Sequence, residues 1–496
     1  MRVLFVSAEV HPLAKTGGLA DVSAALPAAL REHGVDVRVL MPAYPQVLEQ
    51  APSLREVLHL GDPLGYGETR LLETFLPVSK LPVWMVDCPN LYNRSGGLYQ
   101  DGQGHDWPDN DRRFALLNHT AAGIANEPGG RWHPDIIHAN DWHAGLVPLL
   151  VSGRQRPATV FTIHNLAYQG VFGSERFAQL GLSADSFADA EYYGRISFLK
   201  AGICSADAIT TVSQTYAKEI LTPEYGCGLD GLLREKASRL RGILNGVDYD
   251  IWDPSIDPYL THNYTTRSLA AKAVNKRALQ TELGLEIAAD KPLLIFMSRL
   301  VHQKMPDVIL EALPALIEDG VQFALVAEGD RHYEERFRRL AENHPGRVAV
   351  EIGYAERLAH RLLAGADILL HPSRFEPCGL VPIYAMRYGT IPVGRRNGGM
   401  ADSVTDATPD AMQQGTGNGF LFEPPTAVKL IESVRRAHSL YRQPIAWRKM
   451  QTCAMRQDFS WHRSSEAYSD LYRSLVRMPL EAREAAQSEL ETAVIA

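Results

Sequence analysis

The sequence predicts an α/β protein made of two doubly wound, Rossmann-like domains. Three observations support this fold class. The chain has 496 residues, too many for one hydrophobic core, since domains usually contain roughly 100–200 residues. Short apolar segments that alternate with helical patterns recur in both halves of the chain. A less apolar stretch follows Asn245 and separates the two series, so we predict a domain boundary near residues 245–255.

The first forty residues show the repeating unit. Arg2–Ser7 is a short apolar segment typical of a buried strand, and a glycine-containing loop follows it. Apolar residues then recur at helical spacing over residues 19–30, although Pro27 argues against a continuous helix. The alternating segment Val35–Leu40 completes a βαβ unit, whose parallel strands need helices on both faces.

Similar segments predict three further strands in the first half and four in the second. They are Asp135–Ala139, Thr159–Thr162, Ala208–Val212, Leu293–Met297, Phe323–Ala327, Val348–Ile352 and Ile368–Leu370. Doubly wound sheets bind their ligands beyond the carboxyl ends of the strands. We therefore expect the functional residues in the loops that follow these segments.

Composition and charge argue against several classes of protein. An apolar fraction of 45% with 22% charged residues is typical of a soluble globular protein, and a net charge of −8 disfavours nucleic acid as a partner. Five scattered cysteines without a CxxC pair indicate neither a disulfide framework nor a zinc site. The N-terminal apolar segment is too short for a signal peptide, and no segment approaches the ~18 apolar residues of a membrane span. We therefore expect a soluble, cytoplasmic protein.

Two glycine loops resemble each other, one in each half. Lys15–Asp21 (KTGGLAD) is matched by Arg396–Asp402 (RNGGMAD). Each has a cation, a polar residue and two glycines at an apparent helix start, where free N–H groups and the helix dipole favour an anion. We predict that both loops face a diphosphate across a cleft. The alternative is that each glycine pair is only a tight turn before a helix.

Six motifs, in chain order, carry a resemblance to a known family. They are Lys15–Val22 (KTGGLADV), His138–His143 (HANDWH), Thr162–Asn165 (TIHN), Asn245–Asp248 (NGVD), Ser298–Lys304 (SRLVHQK) and Ser373–Gly379 (SRFEPCG). Together they resemble the bacterial glycogen synthase and plant starch synthase family, which is glycosyltransferase family 5. The resemblance extends from the N-terminus to about residue 465.

The resemblance implies a GT-B fold, in which two Rossmann-like domains face each other across a deep cleft. It places the N-terminal domain at 1–248, the C-terminal domain at 249–460, and a helix at about 461–480 that returns to the first domain. The implied reaction moves glucose from ADP-glucose to the non-reducing 4-hydroxyl of an α-1,4-glucan, glycogen or a malto-oligosaccharide, with retention of configuration. The resemblance implies no metal and no cofactor.

The resemblance also implies three groups of site residues. The catalytic group is Glu376, His164, Lys304, Arg299 and Asp141. The donor-binding group is Lys15, Gly17, Gly18, Arg299, Lys304, Asn245, Gly379, Leu380 and Val381. The acceptor or sugar group is Asp21, Asp141, His143, Asn165, Tyr92 and Trp142, with Tyr99 and Tyr168 as further aromatic candidates.

The chemistry explains why these residue types are needed. Cleavage of the anomeric bond leaves negative charge on the departing ADP, which cations stabilise. A single carboxylate, Glu376, with Tyr384 eight residues later, argues against the paired-acid scheme of glycosidases. We therefore expect front-face substitution, in which the acceptor attacks from the side of the leaving group and the phosphate oxygen helps to take the proton.

The sequence departs from the family pattern on the nucleotide side. Met305 replaces a glycine, Glu328 brings a carboxylate near the nucleotide, and Val381 with Pro382 replaces Thr-Gln. Pro382 has no N–H to donate. Three alternatives follow: use of UDP-glucose, use of another acceptor, or a weakly active glucan-binding paralogue.

The oligomeric state stays open, and helical spacing over residues 482–493 predicts a weakly amphipathic tail helix.

Overall fold

The computed structural model describes residues 1–126, 132–151, 153, 156–353 and 355–478. The chain divides into two compact units. The first contains Met1–Gly246 and the C-terminal segment from Trp461, and the second contains Val247–Ser460. The predicted tail helix over residues 482–493 lies outside the described residues.

The first unit contains twelve strands and nine helices among its described residues before Val247. The strands are β1 (Arg2–Val6), β2 (Asp36–Pro42), β3 (Arg55–Gly61), β4 (Thr69–Phe75), β5 (Pro82–Asp87), β6 (Ile136–Asn140), β7 (Ala158–Ile163), β8 (Val171–Gly173), β9 (Glu191–Tyr192), β10 (Arg195–Ser197), β11 (Ala208–Thr211) and β12 (Leu240–Gly242). The helices are α1 (Gly18–Glu32), α2 (Pro45–Gln50), α3 (Pro89–Tyr92), α4 (Asn110–Asn126), α5 (Val147–Leu150), α6 (Phe187–Ala190), α7 (Phe198–Ser205), α8 (Gln214–Glu219) and α9 (Asp230–Glu235).

Nine of these strands form one sheet in the order β12-β11-β7-β6-β1-β2-β5-β4-β3. The strands from β12 to β5 are parallel, whereas β4 and β3 pair antiparallel at one edge. The prediction of β1, β2, β6, β7 and β11 is confirmed to within two residues. Sequence analysis did not predict β3, because its mostly exposed side chains lack the apolar signal of a buried strand.

Helix α1 continues through Pro27, where the sequence argued against continuity. The helix buries Leu19, Val22, Leu26 and Leu30 in the first unit. Burying such a side chain contributes about 1.5–3 kcal/mol, so four of them exceed the ~3 kcal/mol cost of an internal proline. Packing therefore overrides the local preference of the proline.

The second unit contains six strands and nine helices among its described residues. The strands are β13 (Leu293–Met297), β14 (Gln322–Ala327), β15 (Val348–Ile352), β16 (Ile368–His371), β17 (Ile391–Arg395) and β18 (Phe420–Phe422). The helices are α10 (Lys272–Glu282), α11 (Pro306–Glu318), α12 (Arg331–Asn343), α13 (Glu356–Gly365), α14 (Leu380–Arg387), α15 (Gly398–Ser403), α16 (Pro409–Gln414), α17 (Ala427–Tyr441) and α18 (Pro444–Met455).

The six strands form an entirely parallel sheet in the order β15-β14-β13-β16-β17-β18. All four strands predicted in this half are confirmed, and the bounds of β13 and β15 are those of the predicted segments. Both units are therefore doubly wound, Rossmann-like domains, as the sequence predicts.

The last described helix, α19 (Trp461–Arg477), belongs to the first unit. It buries Tyr468, Leu471, Tyr472 and Leu475 in the core of that unit. The Tyr472 hydroxyl lies 2.6 Å from Nδ1 of His138 in β6. Within the described part of the chain, no helix is both long enough and apolar enough to span a membrane.

Candidate active site

The order of the parallel strands reverses once in each doubly wound sheet. In the first unit, β1 lies between β2 and β6, and in the second, β13 lies between β14 and β16. Doubly wound sheets bind ligands at such a reversal, beyond the carboxyl ends of the strands. Lys15, Asp141 and His164 follow β1, β6 and β7. Each unit therefore places predicted site residues where its own topology favours a ligand.

Two carboxylates, Asp21 and Glu9, hold the end of the loop that leads from β1 into α1. The Lys15 ammonium donates to Asp21 at 2.7 Å, and both side chains are about one quarter exposed. Glu9 accepts the backbone N–H groups of Thr16 at 2.6 Å and Gly17 at 3.2 Å. Two N–H groups that precede the helix are thus bound to protein, so an anion at this loop would meet the first-turn N–H groups of α1.

The second glycine pair begins α15, as its sequence pattern predicts. A Cβ added to Gly398 would lie 1.9 Å from the carbonyl oxygen of Glu376, and one added to Gly399 would lie 1.6 Å from that of Cys378. The Gly399 N–H donates to the Glu376 carbonyl at 3.0 Å. These glycines allow α15 to pack against the loop that carries Glu376. Their predicted contact with a diphosphate stays a prediction.

Asp141 adopts a backbone conformation that is rare outside glycine. Its φ is 54° and its ψ is −177°, a region that costs on the order of 1–3 kcal/mol for other residues. Oδ1 accepts the backbone N–H groups of His164 at 2.8 Å and Asn165 at 3.4 Å. Burial raises the pKa of Asp141 to about 7, the two N–H groups oppose this shift, and the charge of Glu9 adds to it. Asp141 therefore fixes the loop after β7.

His164 is a neutral hydrogen-bonding group. Its Nε2 lies 3.0 Å from Oδ1 of Asn140, whose amide nitrogen donates to the carbonyls of Val6 and His138. This orientation of the amide makes Nε2–H of His164 the donor. Burial lowers the pKa of His164 to about 3, so the ring is uncharged near pH 7.

His143 lies between two aromatic rings. Its ring stacks on Trp142 at 4.0 Å and on Tyr99 at 4.7 Å between centroids. Nδ1 is buried without a hydrogen-bond partner among the described residues, and burial lowers the pKa of His143. Trp142 also packs against Phe172 and Phe198. The stack is a rigid element directly after Asp141.

The remaining candidates of the first unit differ in exposure. Tyr92 is 1% exposed and its hydroxyl donates to the Arg113 carbonyl, so its ring is a core element that presents no face to a sugar, contrary to expectation. Tyr168 is 47% exposed. Asn165 is partly buried, and Asn245 is buried with its amide oxygen unpartnered among the described residues.

In the second unit, Glu376 is at the centre of a buried hydrogen-bond cluster. Its Oε2 accepts from the Lys304 ammonium at 2.5 Å, from Nε2 of His371 at 2.7 Å and from the Ser373 hydroxyl at 2.8 Å. Burial acts to raise the pKa of Glu376, but Lys304 and His371 outweigh it and hold this pKa well below its usual range. Glu376 is therefore an ionised carboxylate paired with the predicted phosphate-binding lysine.

The remaining donor-side residues lie after β13 and at the start of α14. Arg299 is exposed two residues after β13. Gly379 precedes α14 with φ +77°, and Leu380 and Val381 form the first helical positions. Pro382 follows them and offers no N–H group, so it removes one of the unpaired donors of this helix start.

Two departures from the family pattern have clear structural consequences. Met305 directly precedes α11 with φ +55°, where an L-residue costs roughly 1–2 kcal/mol, which explains the family's glycine. The Met305 side chain is fully buried. Glu328 is exposed, and its carbonyl accepts the Leu300 N–H at 2.7 Å, so it lies beside the loop of Arg299.

The described ranges contain no group of three or more His, Cys, Asp or Glu residues that could hold a metal ion. The expectation of a reaction without metal or cofactor stays a prediction.

Two doubly wound domains, each with candidate residues at its strand reversal, are what the GT-B fold requires, and the comparisons with known proteins place the chain among glycosyltransferases of this fold. Comparison with protein families matches residues 2–235 to the starch synthase catalytic domain and residues 283–450 to glycosyl transferases group 1.

Similar proteins extend over nearly the whole chain. A glycogen synthase of Paramagnetospirillum magneticum is 52% identical over 96% of this chain and 98% of its own length. A glycogen synthase of Burkholderia thailandensis is 50% identical over 95% of this chain and 90% of its own length. The catalytic domain of starch synthase IV from Arabidopsis thaliana, bound to ADP and acarbose, has a TM-score of 0.87 and is 31% identical. The match covers 96% of this chain and 99% of that structure's chain. This chain belongs to the glycogen synthase and starch synthase family.

Sequence analysis missed three residues that organise the site. Glu9, Asn140 and His371 are buried and bind the Lys15 loop, His164 and Glu376, respectively. Each lies at or just after the carboxyl end of a strand, at β1, β6 and β16. A polar side chain at that position in a predicted parallel strand was the available signal.

Proposed function

We propose that this chain transfers glucose from ADP-glucose to the 4-hydroxyl at the non-reducing end of an α-1,4-glucan, with retention of configuration. The observation that carries the proposal is the ionised Glu376, paired with Lys304 at the carboxyl end of β16. Family membership and the ADP and acarbose bound to the starch synthase IV structure support the choice of donor and acceptor.

In the proposed reaction, the bond between the anomeric carbon and the β-phosphate oxygen breaks, and ADP leaves with the electron pair. Arg299, Lys304 and Lys15 stabilise the charge on the diphosphate. The acceptor 4-hydroxyl forms the new bond on the same face of the sugar, and its proton passes to the departing phosphate oxygen. The new linkage therefore has the configuration of the donor.

The remaining groups bind and orient the donor glucose. Glu376 accepts hydrogen bonds from sugar hydroxyls and favours positive charge on the ring. Neutral His164 donates its one N–H to Asn140, so Nδ1 can accept a hydrogen bond from a sugar hydroxyl, and the ring adds no charge beside the developing cation. The cationic side chains supply the electrostatic stabilisation, so we propose that neither a metal nor a cofactor takes part. We place the reaction in the cytoplasm.

One assay separates this proposal from its alternatives. The protein is incubated with glycogen and either ADP-glucose or UDP-glucose, and nucleoside diphosphate release and glucan growth are followed. We expect release and growth with ADP-glucose. Preference for UDP-glucose would support the alternative donor and would direct attention to the departures at Met305, Glu328, Val381 and Pro382. No release from either donor, with glycogen binding intact, would refute both enzymatic readings.

A further inference from the structure

Glu9 makes four hydrogen bonds from a buried position just after β1. The carboxylate is 3% exposed. It accepts from the Thr16 N–H at 2.6 Å, the Thr16 hydroxyl at 2.5 Å, the Gly17 N–H at 3.2 Å and the Tyr99 hydroxyl at 2.6 Å. Three of these four bonds fix the two residues that directly follow Lys15.

From this geometry we infer that Glu9 is a positioning residue for glucosyl transfer, one that fixes Lys15 through the backbone of its loop. The inference rests on the proposed function. Lys15 is held at its ammonium by Asp21, at 2.7 Å, and the backbone after it is held by Glu9. The loop is therefore fixed before a donor binds, which reduces the reorganisation needed for catalysis.

A second set of contacts links Glu9 to the aromatic stack. The Tyr99 hydroxyl binds Glu9, and the Tyr99 ring stacks on His143, which stacks on Trp142. This stack directly follows Asp141 in the chain, and the charge of Glu9 also acts on Asp141. One buried carboxylate thus connects the Lys15 loop with the segment that holds the loop of His164.

Glu9→Gln is the appropriate test because glutamine keeps the shape of the side chain. An amide oxygen accepts more weakly than a carboxylate oxygen, so the bonds from the Thr16 and Gly17 N–H groups should weaken, and the amide nitrogen can only donate to the two hydroxyls. The matched control is Glu73→Gln. Glu73 is also a buried glutamate, 7% exposed, whose carboxylate binds Trp84 and Arg55 in the β3–β5 region. The control removes a buried charge from the same unit without touching the Lys15 loop.

The kinetic readout is a double-mutant cycle with Lys15→Ala, measured on ADP-glucose and glycogen. We expect Glu9→Gln to lower kcat about 10- to 100-fold with the KM for glycogen nearly unchanged, since small misplacements of a reacting group have effects of this size. In the Lys15→Ala background, Glu9→Gln should lower kcat by less than about threefold. Thr16→Val removes only the hydrogen bond from the Thr16 hydroxyl to Glu9, so it should lower kcat by a smaller factor.

An equal loss of kcat from Glu9→Gln in the wild type and in Lys15→Ala would overturn the inference. A kcat of Glu9→Gln no lower than that of Glu73→Gln would also overturn it. Hydrogen exchange of the Thr16 and Gly17 amides gives a second readout that needs no activity. We expect faster exchange in Glu9→Gln than in the wild type and in Glu73→Gln. Unchanged exchange would overturn the inference even if the wild type transferred no glucose, whereas an inactive wild type with the expected exchange would refute only the proposed function.

Discussion

The two glycine pairs have nearly the same sequence pattern but different surroundings. A Cβ on Gly17 would meet no atom within 4 Å, and its φ of −159° is open to any residue. A Cβ on Gly398 or Gly399 would collide with backbone carbonyls of the Glu376 loop. The fold requires glycine in the second pair and does not require it at Gly17. Gly17 is the N-cap residue of α1, a position where glycine is favoured, and close approach of a ligand would be a second physical reason for glycine there.

The two loops also differ in what fixes them. The loop of Lys15 is fixed by side-chain carboxylates, whereas the loop of Glu376 is fixed by backbone packing of α15 and by Asn397, whose amide donates to the carbonyls of Ser373 and Arg374. Substitutions in the first loop should therefore affect catalysis with little effect on folding. Substitutions in the second should affect both.

The largest effect is expected at the Glu376 cluster itself. Glu376→Ala and Lys304→Ala should each lower kcat by orders of magnitude, because the first removes the ionised carboxylate and the second removes the cation proposed to bind phosphate. Steady-state rates with ADP-glucose and glycogen measure this effect. The circular dichroism spectrum of each variant serves as the control for folding, and near-normal rates in either folded variant would contradict the site assignment.

The next effect is steric. Gly399→Ala places a methyl group 1.6 Å from the Cys378 carbonyl oxygen, so the Glu376 loop or α15 must move. We expect a loss of about 1–3 kcal/mol or more in the free energy of unfolding, together with reduced activity. Urea denaturation measures the free energy of unfolding. Wild-type stability in Gly399→Ala would show that this glycine is not a packing requirement.

The third prediction concerns pH and Asp141. The folded pKa is about 7, above the ordinary value of 3.8, so this group favours folding most below about pH 4. Its contribution is lost as the pH rises through about 7. Asp141→Asn cannot titrate and keeps an oxygen for the two N–H groups. The wild type should therefore lose stability relative to this variant by on the order of a few kcal/mol between pH 4 and 8. The same change of unfolding free energy with pH in the wild type and in Asp141→Asn would contradict the raised pKa.

The smallest effect on stability is expected for Gly17→Ala. The open space around this position should keep the free energy of unfolding within about 0.5 kcal/mol of the wild type. If a ligand approaches the Gly17 backbone, the methyl group should lower kcat/KM for ADP-glucose about tenfold. Steady-state kinetics with ADP-glucose and urea denaturation together test this. Wild-type kcat/KM with unchanged stability would mean that no ligand approaches Gly17.

Local patterns in the sequence were sufficient to predict nine of the thirteen parallel strands among the described residues, whereas β5, β12, β17 and β18 were not predicted. Leu293–Met297, for example, is a continuous apolar segment, and its burial on both faces determines its structure. Helix α1 continued through Pro27 because four buried side chains outweigh the local cost. The edge strand β3 escaped prediction because its side chains are exposed and pack against little.

The site was predictable only in part, for a different reason. Lys15, Lys304 and Glu376 were identified from local motifs, but Glu9 depends on Tyr99, which is 90 residues away in the chain. His371 ends a strand as an ordinary buried residue until the loop of Glu376 folds back on it. Tyr92 was expected to contact sugar because it is aromatic, yet packing of α3 against α4 buries it. Contacts between distant segments are set by the fold and leave no local pattern.

The proposed reaction is tested most directly by the linkage it forms. The wild-type protein is incubated with ADP-glucose and a malto-oligosaccharide, and the anomeric proton of the added residue is observed by NMR. The proposal predicts growth at the non-reducing end with only α-1,4 linkages. A β-linked product, or no growth while ADP-glucose and oligosaccharide both bind, would contradict retaining glucosyl transfer by this chain.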